Sequence, residues 1–173
     1  MDSAEFEEFL QINEADIFSF CRHLAMDADR AADLYQDTVL TAFEMRERIT
    51  KAGNPKSLLF SIAVGKWRNI RRKAGRRQMI APEVPLDDYA AECLAVSSDS
   101  ASPESQVQSA LLRRTIQEAL AGMDDKFRVP LILHYFDDMD LNVISQICKA
   151  PKGTIKSRLH KGRALLKHAL EKM

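Results

Sequence analysis

Gly153, Ser157, His160 and Ala164 recur at spacings of four, three and four residues, with Lys156, Arg163 and Lys167 on one border and Thr154 and Lys161 on the other. At helical period these residues make one face that is small at its centre and cationic at its rim. Such a face performs no covalent chemistry. It suits the major groove of DNA, where the first residues of the helix meet base edges and the flanking cations hold phosphates. Ile155, Leu159, Gly162, Leu166, Ala169 and Leu170 fall on the other side and give the helix an inward face. The plain alternative is a charged amphipathic helix on a protein surface.

A second stripe joins Ser61, Gly65, Arg68, Asn69, Arg72 and Arg76, at spacings of four, three, one, three and four. Arginines on this face can reach phosphates, and Gly65 lets a backbone come close at a helix cost of about 1 kcal/mol. Leu59, Ile62, Ala63, Trp67 and Ile70 supply the apolar arc behind it, with Leu58 and Phe60 at its margins. Trp67 could stack on an unpaired base, but its place on that arc favours packing. A third face is acidic: Asp29, Asp33, Gln36, Asp37, Leu40 and Glu44 line one side of a helix phased over Ala28 to Ile49, with Leu34 near its edge. An apolar residue ringed by carboxylates fits a basic partner helix, and a solvated acidic face is the bland reading.

The charge pattern follows these faces. Lys+Arg and Asp+Glu both total 25, yet residues 1–50 hold 4 basic and 12 acidic side chains, 51–80 hold 9 and 0, 81–125 hold 2 and 9, and 126–173 hold 10 and 4. Two basic blocks alternating with two acidic ones argue for two separate polyanion contacts. Nothing resembles a catalytic set. His23, His134, His160 and His168 lack a phased carboxylate or cysteine partner, and there is no glycine-rich phosphate loop, so no enzyme activity, cofactor or metal is expected. Cys21, Cys93 and Cys148 are odd in number and far apart, which reads as buried thiols rather than a metal or disulfide framework.

The elements that must position these faces are helices. Strand signals are scarce, and 173 residues leave room for two small helical units. Pro82, Pro85, Pro103 and the run SSDSASPES mark residues 78–106 as a flexible linker between a unit over 1–77 and a unit over 107–173, with a short docking helix expected over Val84 to Leu94. In the second unit, Leu111, Leu112, Ile116, Ala119 and Leu120 start a helix that ends near Gly122. A helix from about Asp124 to Phe136 follows, with Pro130 expected to bend it or shift its start. Asp137 to Asp140 form a turn. LNVISQIC then packs through Val143, Ile144 and Ile147, and the break at Lys149 to Pro151 precedes the final helix, giving a helix-turn-helix. An acidic N-terminus and the lack of an eighteen-residue apolar run predict a soluble cytoplasmic protein without membrane insertion.

These residues resemble the sigma-70 family of bacterial transcription initiation factors, in its extracytoplasmic-function (ECF) group. AADLYQDTVLTAF is similar to the family's second conserved region, LLFSIAVGKWRNIRRKAGRR to the helix that melts and reads the minus-ten element, and ISQICKAPKGTIKSRLHKGRALL to the fourth region, which reads the minus-35 element. The resemblance implies a specificity subunit that brings core RNA polymerase to promoters. By it, Asp33, Leu34, Gln36, Asp37 and Leu40 would bind the clamp helices of the polymerase largest subunit. Arg68, Asn69, Arg72, Lys73 and Arg76 would meet the minus-ten element. Asn54 and Lys56, in the loop that holds an extruded base, would join Ser61 and Gly65 on that side. Lys152, Thr154, Lys156, Ser157, Arg158 and Lys161 would meet the minus-35 duplex. The beta-subunit flap, promoter DNA and an anti-sigma factor are the further partners implied.

The chain departs from the family pattern in places. Val64 and Gly65 replace a common Arg-Asn pair, and Asn69 stands where Asp is frequent. Lys149 occupies the usual glycine of the turn, where a positive φ costs a lysine roughly 1–2 kcal/mol, and Ser145 replaces a small alanine. A looser or differently shaped turn is expected. Two other readings stay open on the residues alone: a stand-alone helix-turn-helix regulator, and a helical enzyme acting on nucleic acid.

Overall fold

A computed structural model describes residues 2–78 and 103–172, and among them there are eight α-helices and no strand. The expected docking helix over Val84 to Leu94 and the third cysteine, Cys93, lie outside the described residues.

The first four helices form one group. Helix α1 (Ser3–Ala25) starts at a reciprocal cap, in which Asp2 accepts from the Glu5 backbone N–H at 2.9 Å and Glu5 accepts from that of Asp2 at 2.7 Å. Its inward face is Phe6, Ile17, Phe20, Cys21 and Leu24. Helix α2 (Ala28–Glu44) is capped by Asp27 and ends at Met45, where α3 (Arg46–Thr50) begins. The sequence predicts one continuous helix over 28–49. The chain instead turns at Met45 (φ −100°, ψ 12°), and the turn carries Ile49 into the core with no exposed surface.

The inward stripe of α2 is also rotated from the expected one. Ala31, Leu34, Thr38 and Ala42 are buried, whereas Ala28 and Phe43 are exposed and Ala32, Tyr35 and Val39 only half-buried. A threonine can sit in the core here because its Oγ1 donates to the Leu34 carbonyl at 2.7 Å, so the hydroxyl keeps a partner. Helix α4 (Pro55–Gln78) has proline at its first position and Asn54 Oδ1 accepting from the Ser57 N–H at 2.9 Å. Leu59, Phe60, Ile62, Ala63 and Val64 are buried where α4 packs among α1, α2 and α7, an arc wider than the one read from the sequence. Phe20 and Phe60 meet at its centre, with rings 4.9 Å apart.

The second group is α5 (Pro103–Ala121), α6 (Asp125–Tyr135), α7 (Leu141–Cys148) and α8 (Lys152–Glu171). Thus α4 runs to residue 78 and α5 starts at 103, each reaching into the stretch read as linker. In α5, Leu111 and Leu112 are about half exposed, and Gln117 and Leu120 face inward. Pro130 lies inside α6, which continues through it to Tyr135 with its start unshifted. Gly162 marks the closest approach of α8 to α6: a Cβ there would stand 2.7 Å from Leu131 Cδ1.

Asp140 caps α7, accepting from Asn142 and Val143. The turn after it is not loose. Lys149 takes the left-handed conformation (φ 52°, ψ 48°), the Ala150 N–H reaches the Ser145 carbonyl at 3.1 Å, and Ser145 Oγ donates to the Ala150 carbonyl at 2.6 Å. The serine that departs from the family pattern therefore supplies a hydrogen bond that closes the turn, against the strain of a lysine at positive φ.

The two groups touch. Helix α7 packs on α4, and α1 meets α6.

Candidate nucleic-acid and partner interfaces

On α2 the acidic face turns to solvent as a unit. Asp29, Asp33, Gln36, Asp37, Leu40 and Glu44 are all exposed, and Leu40 keeps 64% of its surface in water. A leucine so placed among carboxylates gains by being covered, and a basic apolar helix is the complement. Leu34 does not belong with them. It is fully buried, because the inward stripe of α2 runs through 31, 34, 38 and 42, so it supports the face from beneath and makes no surface contact.

On α4 the spacing of the second stripe is realised as geometry. Gly65, Arg68, Asn69, Arg72, Lys73 and Arg76 are exposed, and Ser61 is half-buried with its Oγ donating to the Ser57 carbonyl. Arg72 Nη2 donates to Asn69 Oδ1 at 3.0 Å, which fixes both side chains on one turn. Asn54 lies at the head of this helix, next to a cleft of about 760 Å³ lined by residues of the 45–62 stretch and by Val143, Gln146 and Lys149 of the other group. Lys56 is already engaged by the carboxylate of Asp16 on α1.

On α8 the outward face is as read: Gly153, Ser157, His160 and Ala164 are exposed, while Ile155, Leu159 and Gly162 are buried. Lys152, Lys156 and Lys161 are exposed, and Thr154 and Arg158 half-buried. Lys161 Nζ lies 5.4 Å from the Phe127 ring centre, a cation–π contact that holds one candidate phosphate ligand against α6.

Between the groups lies a cluster that sequence reasoning missed. Trp67 is buried with the core residues, and its Nε1 reaches the other group, donating to Asp125 Oδ1 at 3.2 Å. Arg128 Nη2 donates to the same oxygen at 2.7 Å, and Arg71 Nε stands 3.6 Å from Oδ2. Both guanidinium groups lie near the indole ring, at 5.9 Å for Arg71 and 5.2 Å for Arg128. Burial pushes the Arg128 pKa down and Asp125 opposes that shift. At the other end of α6, His23 stacks on Phe136 at 4.2 Å, and burial lowers the His23 pKa. Asp137, in the turn after α6, is driven up to about 7, first by burial and then by the charge of Asp16. No periodicity links residues 58 positions apart, so only the fold shows this cluster.

Cys21 and Cys148 are buried free thiols, pushed up to about 12 and about 11 by burial, as expected for packing residues. Among the described residues no group of His, Cys, Asp and Glu could hold a metal ion. No described helix is long and apolar enough to cross a membrane.

Residues 9–77 match the family described as Sigma-70 region 2, and residues 113–166 match Sigma-70, region 4. The chain belongs to the sigma-70 family. Its relatives place it in the ECF group: it is 26% identical over 169 residues to the ECF RNA polymerase sigma factor SigW of Bacillus subtilis, covering 98% of this chain and 90% of that protein. It is also 26% identical to the ECF sigma factor SigL of Mycobacterium tuberculosis, covering 91% of this chain and 84% of that one. The fold is similar to that of the sigma factor RpoE of Bartonella quintana, solved in complex with the anti-sigma factor NepR, with a TM-score of 0.75 and 24% identity over 96% of this chain and 97% of that one. CnrH, solved with the cytosolic domain of CnrY, gives 0.64 and 14% identity over 98% and 90%. This sigma factor binds DNA and directs RNA polymerase in transcription initiation. A stand-alone regulator is disfavoured, because that reading gives no purpose to residues 9–77, matched by region 2.

Proposed function

We propose that Asp33, Gln36, Asp37 and Leu40 dock this sigma factor on the clamp helices of the polymerase largest subunit. In this reading residues 1–77 are the polymerase-binding and minus-ten unit, 78–106 the connection, and 107–173 the minus-35 unit, which also rests on the beta-subunit flap. The stripe of α4, with Arg68, Asn69, Arg72, Lys73 and Arg76, takes the minus-ten element as its strands part. Asn54, Lys56, Ser61 and Gly65 border the position of an extruded base. Lys152, Thr154, Lys156, Ser157, Arg158 and Lys161 meet the minus-35 duplex. The protein works in the cytoplasm, by binding alone, and an anti-sigma factor covers its docking face. Support for that last partner comes from the exposed Leu40 and from the similar RpoE chain, solved in complex with the anti-sigma factor NepR.

The observation that carries the reading is the occurrence, in one chain, of a carboxylate-ringed exposed leucine and two outward cationic helix faces. A promoter reader on its own gains nothing from the first. A polymerase subunit needs all three, because two small readers gain affinity when a scaffold fixes their separation. Run-off transcription with core polymerase and a promoter library tests it. Replacing Asp33, Gln36 and Asp37 together by alanine, at solvent positions that leave folding intact, should lower transcript yield at limiting sigma by about tenfold or more, the size of a lost docking centre. Undiminished yield would sink the assignment.

A further inference from the structure

Helix α6 meets α8 along one row of its own surface. Phe127, Leu131 and Tyr135 follow one another at a spacing of four and so share a face. Three successive residues of α8 lie against that row. Lys161 Nζ is 5.4 Å from the Phe127 ring centre, Gly162 rests on the Leu131 side chain, and Arg163 Nη1 donates to the Tyr135 hydroxyl at 3.3 Å. Because Gly162 points into α6, its two neighbours, each about 100° away around the helix, emerge on opposite borders of the outward face. Both are exposed.

The groups that hold these two cations are neutral. A carboxylate would restrain a lysine as well, but it would also cancel the charge. A ring face or a phenol hydroxyl restrains the side chain and leaves its charge, with most of its N–H donors, to an outside anion. Lys126 shows the contrast: its Nζ lies 5.0 Å from the same Phe127 ring, yet it is paired with Asp124 Oδ2 at 2.9 Å. Among the described residues neither Lys161 nor Arg163 is paired with a carboxylate. A duplex seated on the outward face would run one phosphate backbone along each border of the helix, across a major groove about 12 Å wide.

We propose that Phe127 and Tyr135 are positioning residues for promoter binding: the two aromatic ends of α6 splay Lys161 and Arg163 away from Gly162, each toward the phosphates of a different strand. The inference rests on the proposed docking of α8 in the minus-35 duplex and adds Arg163 to its phosphate contacts. Neither ring needs to touch DNA, since each acts through the cation beside it.

The test is promoter binding by holoenzyme, reconstituted from core polymerase and the full chain, on a duplex promoter that the wild type selects from a library. Affinity is measured across roughly 50–200 mM salt. Lys161→Ala and Arg163→Ala should each weaken binding and flatten the slope of log affinity against log salt by about one phosphate. Phe127→Leu removes the ring face and keeps apolar bulk, while Tyr135→Phe removes only the hydroxyl. Each should weaken binding about threefold, the size of one exposed cation–π or hydrogen-bond contact. That loss should vanish when the paired cation is already alanine, and Phe127→Tyr, which keeps a ring face, should bind as the wild type does. A loss that persists in Phe127→Leu/Lys161→Ala, or wild-type binding by either Phe127→Leu or Tyr135→Phe, would overturn the positioning role. Where Phe127→Leu loses helical circular dichroism, the Tyr135→Phe and Arg163→Ala pair decides in its place. If Lys161→Ala and Arg163→Ala leave affinity and slope unchanged, the minus-35 assignment falls and takes the inference with it. If they weaken binding while the aromatic variants do not, the positioning role falls and the assignment stands.

Discussion

Asp137 is the residue whose replacement tests the physical account most sharply. Its carboxyl lies in the turn between α6 and α7, its Oδ2 is buried without a hydrogen-bond partner among the described residues, and its pKa is driven up to about 7 from an ordinary 3.8. The charged groups around it are Asp16, Asp138 and the Cys21 thiol, which oppose its ionisation or feel its charge, and Lys56, which favours it. Because the folded value is raised, the folded state carries no penalty below pH 4. It loses stability as the pH climbs from about 4 to about 7, and above that the penalty is constant. The full shift corresponds to about 4 kcal/mol at 1.36 kcal/mol per unit. Local opening that admits water to the carboxylate costs less than carrying the charge dry, so the realised penalty is about 1–2 kcal/mol. Asp137→Asn should therefore be more stable than the wild type at pH 8, and the difference should shrink by about 1–2 kcal/mol at pH 5. Urea unfolding followed by circular dichroism at the two pH values measures it. A difference that is the same at both, or that grows toward acid, would refute the reasoning.

Two further outcomes follow from backbone and packing. Lys149→Gly should raise stability by about 1 kcal/mol, because the left-handed conformation at that position strains any side chain with a Cβ, and urea unfolding reads the gain. Gly162→Ala should lower it by about 1–3 kcal/mol, since the added methyl would stand 2.7 Å from Leu131 Cδ1 and 3.0 Å from its Cγ, and Leu131 is buried with little room to yield; a thermal melt measures the drop.

Much of this molecule was legible in the residues because its functional faces are helix faces, and a helix face is a matter of period. The outward sides of α4 and α8 appear where their spacing put them, and Gly162 stands inside as the phase required. Period failed where backbone breaks or partner groups decide. Met45 interrupts a pattern that could have continued, and the break re-phases Ile49. Thr38 is buried because a local hydrogen bond satisfies it, which turned the α2 stripe and drew Leu34 from the docking face into the core. Leu111 and Leu112 are apolar but face away from the helices that would cover them. Trp67 was rightly placed on an apolar arc, yet its indole also meets an arginine and a carboxylate from the far half of the sequence.

Helix α6 is only eleven residues long, and it serves two neighbours at once. Its first turn carries Asp125 and Arg128 toward the N-terminal half, while Leu131, one turn on, is the seat on which Gly162 rests. Both contacts fall within two turns of one rod, so a single element sets them together. The helix that would enter the major groove therefore takes its position from the same short element that meets the N-terminal half.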